Sequence, residues 1–275
     1  MLSRIKRGGQ RFFLEEQGGI YSYVNGVQDI SIDYKSTMSS FSVLGSKKTF
    51  YSPTSPQTAV INVNSLLFYD DPFYAKLFTA DGFNGKLEYK KEGLLFEGAH
   101  LISYSSSCSI GEIPSISMQA DIYGELLKSE TKESFDFSYN DSFKVAGYNS
   151  IELELDDVFK TNRVQNYSLS ASAKRKPIYS YNSKKPEEVS LIGPLQFSVS
   201  FTIEVDDYEI ENMRNIEKSS FFKNVKLTIN ENSSENQIQF FEIEDAIIES
   251  EKLSASVDGS AVLSLSLIGN KSLEL

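Results

Sequence analysis

The sequence predicts a mainly β protein, and three observations carry that prediction. Tyr and Phe are plentiful, at 15 and 19 residues, with no Trp, and aromatic side chains suit a pleated, half-buried surface. Long stretches rich in Leu, Ala, Glu and Lys, the residues helices prefer, are nearly missing. Serine is abundant and alternates with apolar residues in runs such as "NYSLSASA", the period of two that a strand needs to bury one face.

A length of 275 residues accommodates one large β domain or two of ordinary size. The formal net charge of -11 and sequence pI near 4.8 repel phosphate and exclude a nucleic-acid reader of the usual basic kind. Cys108 is the single cysteine, so there is no internal disulfide framework and no zinc site built from several thiolates. Its plain reading is a small buried apolar side chain. No apolar run reaches the roughly 18 residues that span a bilayer, and "MLSRIKRGG" has no apolar stretch behind its basic start. The expectation is neither a signal peptide nor a membrane anchor.

Taken in order, residues 1–26 are expected to form an N-terminal arm, flexible or docking, with Arg4, Lys6, Arg7 and Arg11. A first unit follows over 27–128, a charged and polar linker over 129–150, and a second unit over 151–275. The reason for two units is self-similarity. Val27, Gln28 and Ser31 match Val164, Gln165 and Ser168, and Ser46, Lys47 and Lys48 match Ser183, Lys184 and Lys185, at a constant offset of 137. "INVNSLLFYDDPF" lies beside "FSVSFTIEVDDYE" at an offset of 136, so Ile61, Val63 and Leu67 meet Phe197, Val199 and Ile203. At an offset of 145, Phe96 and Glu97 meet Phe241 and Glu242, and Met118, Ala120 and Ile122 meet Leu263, Leu265 and Leu267. A slip of one residue would exchange buried and exposed faces, so the agreement in parity across separate strands weighs more than the identities.

Each acidic pair, Asp70–Asp71 and Asp206–Asp207, precedes a segment ("PFYAKLF" and "YEIENMRNI") with an Asp N-cap and, in the first, Pro72 at the opening position. One short flanking α-helix is expected in each unit. Between the first two strands of each unit lie "SKKTFYSPTSPQTA" and "NSKKPEEVSLIGP", paired lysines with prolines and polar turn residues, the profile of a protruding hairpin loop.

Chemistry is sparse. His100 is the only histidine, which leaves no His-rich metal site; its simplest place is a polar, partly exposed strand position. There is no "GxSxG" elbow and no phosphate loop, and the second unit has Asp245 where His100 falls in the first at the 145 offset. The acidic pairs, Asp156–Asp157 among them, offer carboxylates to a hard cation or to glycoside chemistry, but capping and turn formation account for them. No catalytic, metal or cofactor-binding residue is assigned, and no cofactor is expected. The basic cluster Lys174, Arg175 and Lys176 locally reverses the acidic field; it is either a solvated loop or a contact with an acidic patch of a neighbouring subunit.

The run "GVQDISIDY…SVLGSKKTFYSPTSPQTAVINVNSLLFYDDPF" followed by "GLLFEGAHLISYSSSCSIGEIPSISMQADIYGEL" resembles bacteriophage tail tube proteins, most clearly over residues 26–125. The resemblance lies in an order of features: a long strand, a protruding loop, a second strand, a short helix after an acidic turn, then a crossing into the last strands. It implies two tandem β-sandwich or half-barrel units, whose sheets join those of neighbours into a ring. Six such folds normally complete a ring, so three chains of a doubled unit would give pseudo-sixfold symmetry. The implied role is a structural virion protein, assembled in the host cytoplasm, whose stacked trimeric rings conduct DNA without binding it specifically. An acidic wall suits that passage, because many lysines would retard phosphates. The implied partners are further copies of the chain and other tail proteins such as tape measure, baseplate or terminator. Candidates for inter-subunit contact are Lys47, Lys48, Tyr51, Lys174, Arg175, Lys176, Lys184 and Lys185.

Two other roles stay open at this point. Doubled tube folds also serve as baseplate hubs, tube initiators and terminator rings, and the second unit lacks the "YSSSCSIGEIP" signature, reading "ESEKLSASVDGS". A soluble carbohydrate-binding β-sandwich would use exposed Tyr and carboxylates, although the absence of Trp removes its usual aromatic platform.

Overall fold

In a computed structural model, the protein is mainly β, dominated by one 15-stranded antiparallel sheet. The structure describes residues 10–16, 19–35, 38–53, 58–67, 71–89, 92–130, 150–156, 159–181, 183, 185–205, 221–230, 237–255 and 260–271. The first half of the chain supplies β1 (Gln10–Glu15), β2 (Tyr21–Tyr23), β3 (Val27–Lys35), β4 (Met38–Ser42), β5 (Thr49–Pro53), β6 (Thr58–Leu66), β7 (Phe83–Tyr89), β8 (Glu92–Ser109), β9 (Ser115–Ile122) and β10 (Leu126–Glu130). The second supplies β11 (Ile151–Leu155), β12 (Phe159–Thr161), β13 (Val164–Ile178), β14 (Glu188–Val205), β15 (Phe221–Asn230), β16 (Gln237–Ser254) and β17 (Ala261–Lys271).

These strands form because their apolar residues fall at every second position. Buried and less buried residues alternate along β6 from Ala59 to Ser65 and along β14 from Leu195 to Val205, which places one face of each strand on the core. That core is a single cluster running through both halves, from Phe12 and Ile61 to Phe241 and Leu267. Aromatic rings knit it together. The Phe241 ring lies 4.9 Å from that of Tyr74 and 6.3 Å from those of Tyr104 and Tyr167, within the range of favourable edge contacts.

The pairings of the two halves follow one order. In the first, β2-β1-β7-β8-β9-β6-β3 are successive neighbours; in the second, β12-β11-β15-β16-β17-β14-β13. Irregularities recur at matching places. The β3–β6 ladder shifts between Val27 and Asp29 and the β13–β14 ladder between Val164 and Asn166, an offset of 137. The β8–β9 ladder shifts between Leu101 and Ser103 and the β16–β17 ladder between Ile248 and Ser250, an offset of 147. Gly98 and Asp245, also 147 apart, both have positive φ, at 63° and 50°, the left-handed bend that glycine and Asp tolerate best.

This register corrects two offsets read from the sequence. Ser65 and Ile203 occupy the same rung opposite Val27 and Val164, so β6 maps onto β14 at 138 and not 136. Met118 opposes Val63 and Leu265 opposes Phe201, which sets β9 onto β17 at 147 and not 145. Both errors are slips of two residues, which preserve the face a side chain presents and so leave the hydrophobic pattern unchanged.

Two further expectations meet a different outcome. Gln10–Glu15 and Tyr21–Tyr23, read as part of an arm, form β1 and β2 inside the sheet, with Phe12, Phe13, Leu14 and the neighbouring Val24 buried; they are the positional counterparts of β11 and β12. The segment after Asp71 makes a 3-10 turn, Tyr74–Leu77, in place of an α-helix. Its carbonyl groups are claimed from outside: the Arg175 guanidinium donates to the backbone oxygens of Lys76 and Leu77, acceptors that a continuing helix would need. The corresponding second segment, most of the linker and Lys184 lie outside the described residues.

Candidate assembly interface

The two halves meet along a ladder in which the outer part of β8 pairs antiparallel with β13 over seven rungs, from Ser103↔Ser172 to Ser109↔Asn166. β8 is long enough to serve four neighbours. Its first part pairs with β7, its far side with β9 and β10, and beyond the Leu101–Ser103 irregularity it is open to β13. The bend at Gly98 and the irregularity re-aim the strand between these tasks.

Closing this seam buries every second residue on both strands. Tyr104, Ser106 and Cys108 on β8 are 1%, 1% and 4% exposed, and Tyr167, Leu169 and Ala171 on β13 are 2%, 0% and 3% exposed. Polar atoms carried inside are matched: the Ser106 hydroxyl and Tyr167 phenol share a 2.9 Å hydrogen bond, and the Tyr104 phenol donates to Asp71 Oδ2 at 2.5 Å. Asp71 Oδ1 accepts the Phe73 backbone N–H at 2.8 Å, the turn role expected of that residue; the 3-10 turn itself has Phe73 as its N-cap with no side-chain cap hydrogen bond, and Asp70 lies outside the described residues. Burial raises the Asp71 carboxyl above its ordinary value, against the opposing effect of these hydrogen bonds. Burial likewise raises the phenols of Tyr104 and Tyr167 and pushes the Cys108 thiol up to about 12, which leaves that cysteine an inert core residue.

The β13–β14 hairpin continues past the seam and lies over the first half. Arg175 is its clasp, donating to the backbone oxygens of Leu101 at 3.1 Å, Thr79 at 2.6 Å, Leu77 at 3.2 Å and Lys76 at 3.4 Å. Lys185, at the hairpin's far end, reaches Glu125 at 3.1 Å and Glu97 at 4.0 Å. Between hairpin and sheet lies a cavity of about 420 Å³ bordered by His100, Tyr123 and Lys185. His100 is 8% exposed, more buried than its sequence position suggests, because the hairpin covers it. Burial first, and the Arg175 charge second, lower its imidazole to about 4, so it is neutral at neutral pH.

Each side of this seam has a counterpart elsewhere that is not covered. Among the described residues, β3 ladders only with β6, and residues 250–254 of β16 ladder only with β17. Where Ser106 is buried, its counterpart Leu253 is 56% exposed; where Ala171 is buried, its counterpart Tyr34 is 55% exposed. Ile247, in the place of His100, is 55% exposed. The β4–β5 hairpin is the counterpart of the clasping one: the rung Met38↔Pro53 corresponds to Arg175↔Leu191. The turn is shared as well, since Ser46 N–H donates to Val43 O and Ser183 N–H to Ser180 O, at the 137 offset. This hairpin forms a separate two-stranded sheet with Phe41, Leu44, Phe50 and Tyr51 exposed, and Phe41 stacks on Phe50 at 5.7 Å.

The candidate contact residues therefore fall into two groups. Lys47, Lys48 and Tyr51 sit exposed on the β4–β5 hairpin. Lys174, Arg175, Lys176 and Lys185 sit on the other hairpin, with Arg175 and Lys185 engaged inside the chain. Sequence reading passed over Leu253, Lys252, Ile32 and Asp33, whose surroundings only strand order reveals. Among the described residues no group of three or more His, Cys, Asp or Glu side chains is placed to hold a metal ion, and no helix is long and apolar enough to cross a membrane. No protein-family model and no curated protein matches this chain.

Proposed function

We propose that the chain is two tandem copies of a tail-tube-like β unit and acts as a structural virion protein, self-assembling into rings that stack as the tail tube of a bacteriophage. One observation carries the reading: the β8–β13 seam joins two halves whose strands pair in the same order, while the corresponding edges on β16 and β3 have no ladder partner on that side among the described residues. An open edge with exposed apolar residues is a liability that a neighbouring strand removes. Because the two edges differ, each contact is head-to-tail, and repetition of a head-to-tail contact closes into a ring when the rotation allows. The sixfold habit of the family the sequence resembles sets that ring at three chains, and the charge of -11 suits a conduit that must not hold DNA. The exposed tyrosines Tyr34, Tyr51 and Tyr181 lie on β3, β5 and a turn, spread over separate elements in place of the single platform a carbohydrate-binding module needs.

Electron microscopy and light scattering of the purified chain test this reading. The expected outcome is rings, alone or stacked, with a repeat of roughly 93 kDa, three times the 30.9 kDa chain. A protein that stays at 30.9 kDa at high concentration, with no rings, removes it.

A further inference from the structure

We infer that the docking partner of the open β16 edge is the β3 strand of a second copy of this chain, in one defined register: Ser31 opposite Ser254, Ile32 opposite Leu253, Asp33 opposite Lys252 and Tyr34 opposite Glu251. This inference rests on the assembly reading above and adds the residues that make the contact. The register follows from the internal seam. Ser168↔Ser107, Leu169↔Ser106, Ser170↔Ser105 and Ala171↔Tyr104 are the observed rungs. The observed irregularities set β13 onto β3 at 137 and β8 onto β16 at 147, and applying these offsets gives the four pairs.

The chemistry at three of those four rungs is complementary. Asp33 and Lys252, both exposed, meet as opposite charges directly across the ladder, a stabilising cross-strand pair. Ile32 and Leu253 take the places of Leu169 and Ser106, which face the core, so two apolar side chains meet on the inner face. Ser31 and Ser254 repeat the serine pair Ser168↔Ser107. A shift of one rung would break all three matches, setting Asp33 against Leu253 or Glu251 and turning Leu253 to the outer face.

The same offsets carry the β4–β5 hairpin over the second half of the neighbouring chain, as the β13–β14 hairpin lies over the first. Lys48 stands at the position of Lys185, and Glu244 at the position of Glu97, 147 residues on. The exposed Ile247 then lies beneath the hairpin where His100 does in the covered copy. The apolar Phe41, Leu44 and Phe50 of the hairpin supply the cover that an isolated chain leaves undone.

A cysteine pair tests the register. Ser31→Cys with Ser254→Cys places two thiols on the outer face, where neither change disturbs the core, and Cys108 is buried. Under mild oxidation this variant is expected to give covalent dimers and trimers on a non-reducing gel, at least about tenfold more than Asp29→Cys with Ser254→Cys, which keeps Lys252 and whose sulfur atoms are one diagonal too far apart to bond. As a second readout, Asp33→Lys should weaken assembly and Lys252→Asp added to it should restore assembly. Rings that form without this cross-link, or that cross-link equally through the displaced pair, overturn the register and leave the ring reading standing. A chain that forms neither rings nor cross-links sinks both.

Discussion

The β8–β13 seam and the edges of β3 and β16 occupy corresponding places in the two strand orders, and among the described residues the first is covered and the second is not. Where it is covered, Leu169 and Ser106 are sealed and a serine–tyrosine hydrogen bond satisfies the polar atoms inside. Where it is uncovered, Leu253 and Tyr34 stand in solvent. The difference is in what the sequence has placed there. The covered copy carries Arg175 and His100, side chains fitted to one fixed partner within the chain, whereas the counterpart positions carry Met38 and Ile247. A chain that repeats a unit twice can specialise its internal joint and leave the other for contact with a neighbour.

Removing the ring that all these elements share has the largest expected effect. Phe241 is fully buried, and its ring packs on Tyr167 of its own half and on Tyr74 and Tyr104 across the meeting of the halves. Phe241→Ala should cost about 3–5 kcal/mol through lost burial and a cavity, read as a shift of the denaturant midpoint. A cost below about 1 kcal/mol would mean that the site collapses freely and that the halves do not lean on each other there.

A smaller effect separates the two seams by pH. The covered His100 is lowered to about 4 by burial and by Arg175, against an ordinary value near 6.5. Below pH 6.5 the unfolded chain takes up a proton at this position and the folded chain does not, so stability falls from pH 6.5 toward about 4 and levels off beyond. After allowance for water reaching the cavity, the share of His100 is about 2 kcal/mol. His100→Gln should flatten the pH dependence of the denaturation midpoint across that window by this amount. An unchanged slope would place the imidazole in contact with solvent, and the hairpin would not be its cover.

How far the sequence discloses this arrangement depends on what each feature is made of. Strand content and face parity are written in side chains, in the alternation along "INVNSLL" and "FSVSFTIEV", and those are readable. The exact register is written in backbone irregularities at Leu101–Ser103 and Ile248–Ser250, which match position for position only at Ser103 and Ser250, so the sequence leaves it open by two residues. The pairing of β1 with β7 escaped because "QRFFLE" buries three residues in succession, Phe12, Phe13 and Leu14. That gives no period of two to set beside the alternating "IELEL". The helical reading of "PFYAKLF" failed for a reason 96 to 99 residues away in the chain, since the clasp of Arg175 is invisible in the local sequence. The seam itself is a backbone contact between strands far apart in order, and no side-chain motif announces it.

The smallest expected change in stability is also the sharpest test of the comparison. Leu253 is 56% exposed and Leu169 fully buried, yet under the proposed assembly they play the same kind of part, one across a joint between chains and the other across the joint within a chain. Leu169→Ala should therefore cost the isolated chain about 2–5 kcal/mol, whereas Leu253→Ala should leave it within about 0.5 kcal/mol of the parent. Measured as assembly, the order reverses in what it teaches: Leu253→Ala should raise the concentration needed for rings by at least about tenfold with the folded chain otherwise intact. If instead Leu253→Ala unfolds the isolated chain as Leu169→Ala does, the β16 edge is already covered from within, and the bare edge has nothing to offer a neighbour.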